Sequence, residues 1–513
     1  MMQKVMINAP LNRVEGDLEI RTEVDGGRVS DAWCSGTMYR GFEKILAGRG
    51  PLDGLVITPR ICGICTTSHL TAAVKALDMI AGVFPPPNAV RIRNLTLMAE
   101  HIQSDMRHAF LMFAADLVNP AYRDVPLFDE AVRRYQPFKG ETVIETIKET
   151  KKVLEIIAIV GGEWPHSSYM VPGGIVSNPA SGDLMECLLL LKQYRSWYEK
   201  RILGCSLERW LDVRSSSDID VWLEENNLHR ESDLGFYIRF AREIGLDRIG
   251  RGHGNFISYG SLDIPEGTKV KGKGKHLVAS GFAQGIKVTD FSHEKILEHV
   301  SHSWFMDYNG GRHPFNGETI PYASGRESGK YSWAKSPRYD ALPAETGPLA
   351  EMITAENPLF TDLVSRTGPS AFTRELARIS RPAYLMPAME AWILESVSDG
   401  KFYTSPEEII EGKGYGVTQA SRGALGHWVQ IENGAITHYQ IITPTAWNAS
   451  PRDSNGTRGP LEEALIGTEI KDPSNPVELG HVVRSFDCCL VCTVHTVNRG
   501  KEIGRVKVGA AIL

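Results

Sequence analysis

Four cysteines constrain this chain more than any other feature. Cys62 and Cys65 stand in Arg60-Ile61-Cys62-Gly63-Ile64-Cys65, and Cys489 and Cys492 stand in Asp487-Cys488-Cys489-Leu490-Val491-Cys492, more than four hundred residues later. In each pair the thiols are three positions apart, a spacing that on a helical turn puts both on one face, roughly 5–6 Å apart at Cβ. Two such pairs supply a tetrathiolate site. A structural zinc has the same signature, but zinc ribbons usually place their pairs roughly 15–20 residues apart. A centre fastened between the two ends of a large body fits an active site better than a local staple.

The rest of the composition sets the background. With 513 residues, 42% apolar and 23% charged, the chain matches soluble globular averages and can bury a large core. Its 56 basic and 62 acidic residues leave a net charge of −6, so nucleic acid is not an expected partner. The start lacks a basic segment followed by an apolar run, which predicts a cytoplasmic protein. No apolar stretch approaches the roughly 20 residues of a membrane helix, so any membrane contact would come through partners.

Patterning predicts an α+β fold, predominantly α. A single large body is built on a bundle of long helices, with small β-hairpin elements near the N-terminus and in the C-terminal third. Apolar residues at helical spacing mark 70–81, 88–115, 142–160 and 182–203, the first ended by Pro85-Pro86-Pro87 and the third by Gly161-Gly162. Alternation at 18–24 and 29–33 around Asp25-Gly26-Gly27 predicts one hairpin. The segments 427–432 and 435–442 around Asn433-Gly434 predict another. The stretch 305–345, rich in Gly, Pro, Tyr and Trp, reads as ordered irregular structure. Gly267–Gly274 lacks the final hydroxyl of a phosphate loop, and the glycines near Gly250 and Gly414 lack the strand-then-helix context of a dinucleotide site.

Beyond the cysteine motifs, the chain carries Arg13-Val14-Glu15-Gly16, Tyr39-Arg40-Gly41-Phe42-Glu43, Pro165-His166, Val171-Pro172-Gly173-Gly174, Gly311-Arg312-His313-Pro314-Phe315, Tyr331–Tyr339, Arg422-Gly423-Ala424-Leu425-Gly426-His427-Trp428 and Trp447–Asp453. With these, it resembles the large, catalytic subunit of nickel-iron hydrogenases over nearly its whole length. Asp17 and the segment Phe110–Pro120 resemble the cytoplasmic uptake branch found in cyanobacteria.

The resemblance implies that Cys62 and Cys489 are terminal ligands of nickel, while Cys65 and Cys492 bridge it to an iron that carries carbon monoxide and cyanide. It implies that His69 hydrogen-bonds a bridging sulfur and that the Cys489 thiolate takes the proton when dihydrogen is split, passing it to Glu15. Arg452, supported by Asp116 and Asp487, would poise its charge over the open metal position, and Asn475 would lie near a cyanide. Glu43 and His495 would hold magnesium. Read without the resemblance, Glu15 is a solvated surface residue, Arg452-Asp453 a structural ion pair, and His313 and His427 satisfied core histidines.

The isolated Cys34, Cys187 and Cys205 cannot hold an iron-sulfur cluster, which needs four thiolates. Electrons must therefore leave through an iron-sulfur small subunit, the obligate partner in a heterodimer that can assemble further. The resemblance also implies nickel and iron insertion factors, and an endopeptidase that cuts after His495, dividing the chain into a domain at 1–495 and an extension at 496–513. Three departures stand out. Cys488 replaces a usual proline and is either a small apolar substitute or an extra redox-active thiol, Asp17 replaces a histidine, and Ser421 replaces a proline. The rival readings are a relative that kept the fold but lost its metal, and a zinc-stapled interaction protein.

Overall fold

The computed structural model describes residues 5–490. Cys492, His495 and the expected boundary at His495 lie outside the described residues.

The four apolar helical patterns form helices at Thr66–Ile80, Pro87–Arg107, Glu141–Gly161 and Ser181–Trp197. The second and fourth run on into π-helical turns, His108–Phe113 and Tyr198–Leu203. A further helix, Ala371–Glu395, packs with Pro87–Arg107, Glu141–Gly161 and Ser181–Trp197 in a closed ring around the main core. Pro382 and Pro387 lie inside it, and its Arg374, Arg378 and Arg381 are buried on carboxylates instead of solvated. Arg381 grips Asp105 at 2.7 Å and Glu351 at 2.8 Å, and Arg374 grips Glu345 at 2.6 Å.

Both expected hairpins are present. Leu18–Asp25 pairs with Arg28–Gly36, and Val5–Leu11 adds a third strand to that sheet. Gly423–Glu432 pairs with Ala435–Ile442 across Asn433 and Gly434, whose φ values of 50° and 70° are those an Asn-Gly hairpin turn requires. Gly412–Ala420 joins this second sheet on its other edge. Another sheet, Asn255–Asp263 with His276–Gln284 and Lys287–Thr289, has no counterpart in the sequence reading. Seven consecutive residues of its first strand are buried, so no alternation marks it. The segment 305–345 is largely irregular, with 330–339 buried.

The glycines at 412, 414 and 416 serve helix-on-sheet packing. They share one face of their strand, and that face lies on the helix Thr66–Ile80, which follows the first cysteine pair. A Cβ on Gly412 would stand 2.6 Å from the Ile80 side chain, one on Gly414 would be 2.6 Å from the Ala76 carbonyl oxygen, and one on Gly416 would be 1.9 Å from that of Ala72. Two strand residues advance about 6.6 Å and four helical residues about 6 Å, so each second glycine meets each fourth helical residue. Gly416→Ala is expected to lower stability by about 1–3 kcal/mol or more, the cost of overpacking against backbone that cannot give, read as a fall in thermal midpoint. An unchanged midpoint would contradict this packing.

Candidate metal centre

Three of the four motif cysteines lie within the described residues, and they converge. Cys62, Cys65 and Cys489 share one small buried cluster with Ile61, and the Sγ atoms of Cys62 and Cys489 are 3.6 Å apart. That is far longer than a disulfide. It is close to the roughly 3.8 Å expected between two thiolates on one tetrahedral metal with bonds of about 2.3 Å.

Each cysteine is held by a different part of the chain. Cys62 follows a 3-10 turn, Thr58–Ile61, whose Ile61 and Arg60 carbonyls accept hydrogen bonds from Arg40 at 2.6 and 3.0 Å. Cys65 stands at the start of the helix Thr66–Ile80, whose first free N–H groups are taken by the buried carboxylate of Glu100, Thr67 N–H at 2.6 Å and Ser68 N–H at 3.0 Å. Burial pushes Glu100 up to about 7 against those hydrogen bonds. Cys489 donates its N–H to Thr445 Oγ1 at 2.8 Å, and Leu490 donates to the Glu15 carbonyl at 2.6 Å, so the late segment lies parallel to the Glu15 loop.

The Glu15 loop is set by positive φ at Arg13 and Gly16 and by a clamp below it. The buried carboxylate of Asp116 pairs with both Arg13 and Arg484, and Arg13 also donates to the Met112 carbonyl at 2.9 Å. Asp116 therefore ties the loop carrying Glu15 to the helix Val477–Ser485, which leads into Cys489. Burial lifts the half-buried Glu15 carboxyl above the ordinary range, opposed by Arg422 and reinforced by Cys62 and Asp487. That puts Glu15 electrostatically at the thiol cluster.

The arginine at this centre is Arg422, not Arg452. Arg422 is buried at the turn between two strands, and its Nε donates to Asp487 at 3.0 Å. Its Nη1 is buried with no hydrogen-bond partner among the described residues. Burial alone would lower its pKa, but the Asp487 carboxylate and then the thiols of Cys489, Cys62 and Cys65 hold it well above the usual value. Asp487 adopts φ of 50° and gathers donors, with Arg378 at 3.0 Å and His108 Nδ1 at 2.9 Å. Desolvation raises its pKa, yet Arg422, His108 and Arg378 bring it well below the carboxylate range.

Two expected placements are corrected. Arg452 pairs with Asp31 and lies over the Trp33 ring at 5.1 Å, against the N-terminal sheet, and Asp116 serves Arg13 and Arg484 instead of supporting it. Asn475 exchanges amide hydrogen bonds with Asn119 at 2.8 and 3.2 Å, at the end of an exposed turn that precedes the helix Val477–Ser485. Arg422, Arg378 and His108 were missed as site residues. The signal for the first was in the quoted Arg422–Trp428 motif.

His69 is buried one helical turn from Cys65, and Cys62 acts on its charge. Its Nδ1 meets His427 Nε2 at 3.1 Å. Glu43 lines a cavity of about 40 Å³ with Glu298, Lys335 and Gln440, in which Lys335 Nζ stands 3.9 Å from Glu298 Oε2. Burial, eased by Lys335, puts Glu298 at about 7. Cys488 is 1% exposed, and burial first, then Asp487, pushes its thiol well above the usual range, so it packs as a small apolar group. His293, Glu294 and His313 bring ligand-type atoms within 4.8 Å of one another. His313, however, faces the His293 carbonyl at 3.1 Å and accepts from Phe315 N–H at 3.2 Å, which makes it a satisfied structural histidine.

Comparison with known proteins agrees with this geometry. The family described as nickel-dependent hydrogenase matches residues 40–123 and 238–495. The periplasmic NiFeSe hydrogenase large subunit of Desulfomicrobium baculatum is 32% identical, with 95% of this chain and 94% of that protein covered. The hydrogenase-2 large chain of Escherichia coli K12 is 28% identical over 99% of this chain and all of that one. The uptake hydrogenase large subunit of Rhizobium leguminosarum bv. viciae is 27% identical over 98% of this chain and 97% of that one. A solved structure of the Dm. baculatum NiFeSe hydrogenase superimposes with a TM-score of 0.80 at 32% identity, covering 96% of this chain and all of that one. The chain belongs to the nickel-dependent hydrogenase family, as a large subunit and an oxidoreductase acting on dihydrogen.

Two substitutions separate the arginines. Arg422→Lys is expected to lower hydrogen oxidation by about 100-fold or more, since a lysine cannot hold Asp487 and face the thiols at once. Arg452→Lys should change it by less than about threefold, the range of a partly exposed ion pair. Equal losses would overturn the assignment. Cys488→Ala should retain activity, and its loss would show a chemical role for that thiol.

Proposed function

We propose that the chain is the catalytic subunit of an uptake hydrogenase, in which Cys62, Cys65, Cys489 and Cys492 hold nickel and an iron bearing carbon monoxide and cyanide. The observation that carries this reading is the 3.6 Å approach of two buried sulfurs from opposite ends of the chain. The orphaned Nη1 of Arg422 beside them supports it, because a buried cation donor without a partner suits a site where negative charge gathers.

When bound, such a centre supplies an electron-poor metal that polarises dihydrogen and accepts its electron pair. The chain's own residues do the rest. The Cys489 sulfur takes the proton, since coordination keeps a thiolate deprotonated yet next to the reacting atom. Glu15 receives it, its raised pKa bringing the carboxyl closer to neutral pH, where it can both accept and release. Arg422, held by Asp487, places fixed positive charge beside the thiols. The apolar wall of Ile61, Phe42 and Ile441 excludes water from the cluster.

Glu43 and His495 are proposed to hold magnesium. The second carboxylate that shares this cavity with Glu43, Glu298, supports this, because carboxylate oxygens suit a hard cation. An iron-sulfur small subunit carries the electrons away, insertion factors load the metals, and an endopeptidase removes 496–513.

Metal analysis tests the reading. The matured protein is expected to contain about one nickel and one iron per chain, with infrared bands of metal-bound carbon monoxide and cyanide. Cys62→Ser or Cys489→Ser should abolish nickel binding. Glu15→Gln should keep both metals but slow turnover by about 10²–10⁴-fold. Zinc alone, or a metal-free active fold, would refute the proposal.

A further inference from the structure

The nitrogen His69 turns toward His427 opens a line of hydrogen bonds. His69 Nδ1 is 3.1 Å from His427 Nε2, and His427 Nδ1 is 2.9 Å from the Tyr439 hydroxyl. The three groups come from three elements. His69 is on the helix Thr66–Ile80, and His427 and Tyr439 are on adjacent antiparallel strands, where Tyr439 faces Val429 and so lies diagonal to His427. The rings are buried at 1%, 0% and 5% exposure.

We propose that Tyr439 and His427 are positioning residues that give this line one direction, so that His69 presents an Nε2–H to the thiol cluster. A neutral imidazole has one N–H and one lone pair, so fixing either end of the chain fixes every member. The Tyr439 O–H is buried, and among the described residues its one hydrogen-bond partner is His427 Nδ1. It therefore donates there. That leaves the proton of His427 on Nε2, which donates to His69 Nδ1, and the proton of His69 on Nε2. The opposite direction would oblige the tyrosine oxygen to accept from His427, stranding its own O–H, and would aim the lone pair of His69 at sulfur lone pairs.

The helix geometry matches. The His69 N–H donates to the Cys65 carbonyl at 3.3 Å, which places the ring one turn above the first cysteine pair, with Cys62 acting on it. With Nδ1 spent on His427, Nε2 is the nitrogen available to a sulfur. An N–H donated to a metal-bound thiolate withdraws charge from it, so the tyrosine sets the electron density of the centre through two rings that touch no substrate. The packing also holds the far end in place. The Tyr439 ring lies against Gly54, where even an added Cβ would stand at an ordinary contact distance of 3.5 Å, in the segment before the first cysteines.

The inference rests on the proposed function only for the identity of the sulfur as a metal ligand, and its test is independent of metal. The full chain is labelled with ring ¹⁵N in histidine, and the two rings are assigned by the signals lost in His69→Gln and His427→Gln. Both rings are expected to be neutral with the proton on Nε2, and Tyr439→Phe is expected to move His427 toward a mixture that includes Nδ1–H, with His69 following. A proton on Nδ1 of either ring in the parent chain would overturn the proposal, and so would unchanged ring signals in Tyr439→Phe. Should the protein hold zinc instead of nickel, the proposed function would fail while these signals stood.

Discussion

The fold is organised around bringing a late segment of chain against an early one. Leu490 donates its N–H to the Glu15 carbonyl at 2.6 Å, Cys489 lies beside Cys62, and the surrounding elements make that contact possible. Asp116 holds both approaches at once, pairing with Arg13 ahead of Glu15 and with Arg484 ahead of Cys489. Buried ion pairs of this kind contribute little net stability, because desolvation offsets most of the attraction, but removing one partner strands the other in the interior. Their value here is geometric, since they fix where two loops meet.

Charge at the centre follows from the same arrangement. Asp487 collects Arg422, Arg378 and His108 around one carboxylate, and the thiols of Cys489, Cys62 and Cys65 act on Arg422. In a buried setting a fixed guanidinium acts strongly on neighbouring thiolates, because little water screens it. Glu15 sits at the edge of this field, half-buried, with the opposing pulls of burial and Arg422 on its proton. The ionic cluster therefore links the scaffold to the chemistry: helix Ala371–Glu395 supplies Arg378, and the π-helical turn His108–Phe113 supplies His108.

Elements with a strong local signal were legible in the sequence. The hairpin at Asn433-Gly434 could be read because its turn demands positive φ at both residues, and the four helices because apolar residues recur in them at helical spacing. The sheet at Asn255–Asp263 was not, since a strand buried on both faces shows no alternation, and neither was Ala371–Glu395, whose buried arginines and two prolines disguise a helix. The convergence of the cysteines was legible because the spacing of thiols carries chemistry directly. The arginine was misplaced because the family resemblance was laid on the segment Trp447–Asp453, whereas read on its own residues Arg452-Asp453 was a structural ion pair. Arg422 finds its carboxylate, Asp487, 65 positions along the chain, a pairing that no local pattern encodes. The same holds for His69, His427 and Tyr439, joined only by the packing of a helix on a sheet.

X-ray absorption at the nickel edge of the matured protein with its small subunit tests the central claim most directly. The account predicts nickel bound by four sulfurs at about 2.3 Å, with iron as the next scatterer. Nickel held by nitrogen and oxygen, or a protein that carries zinc and no nickel, would contradict it.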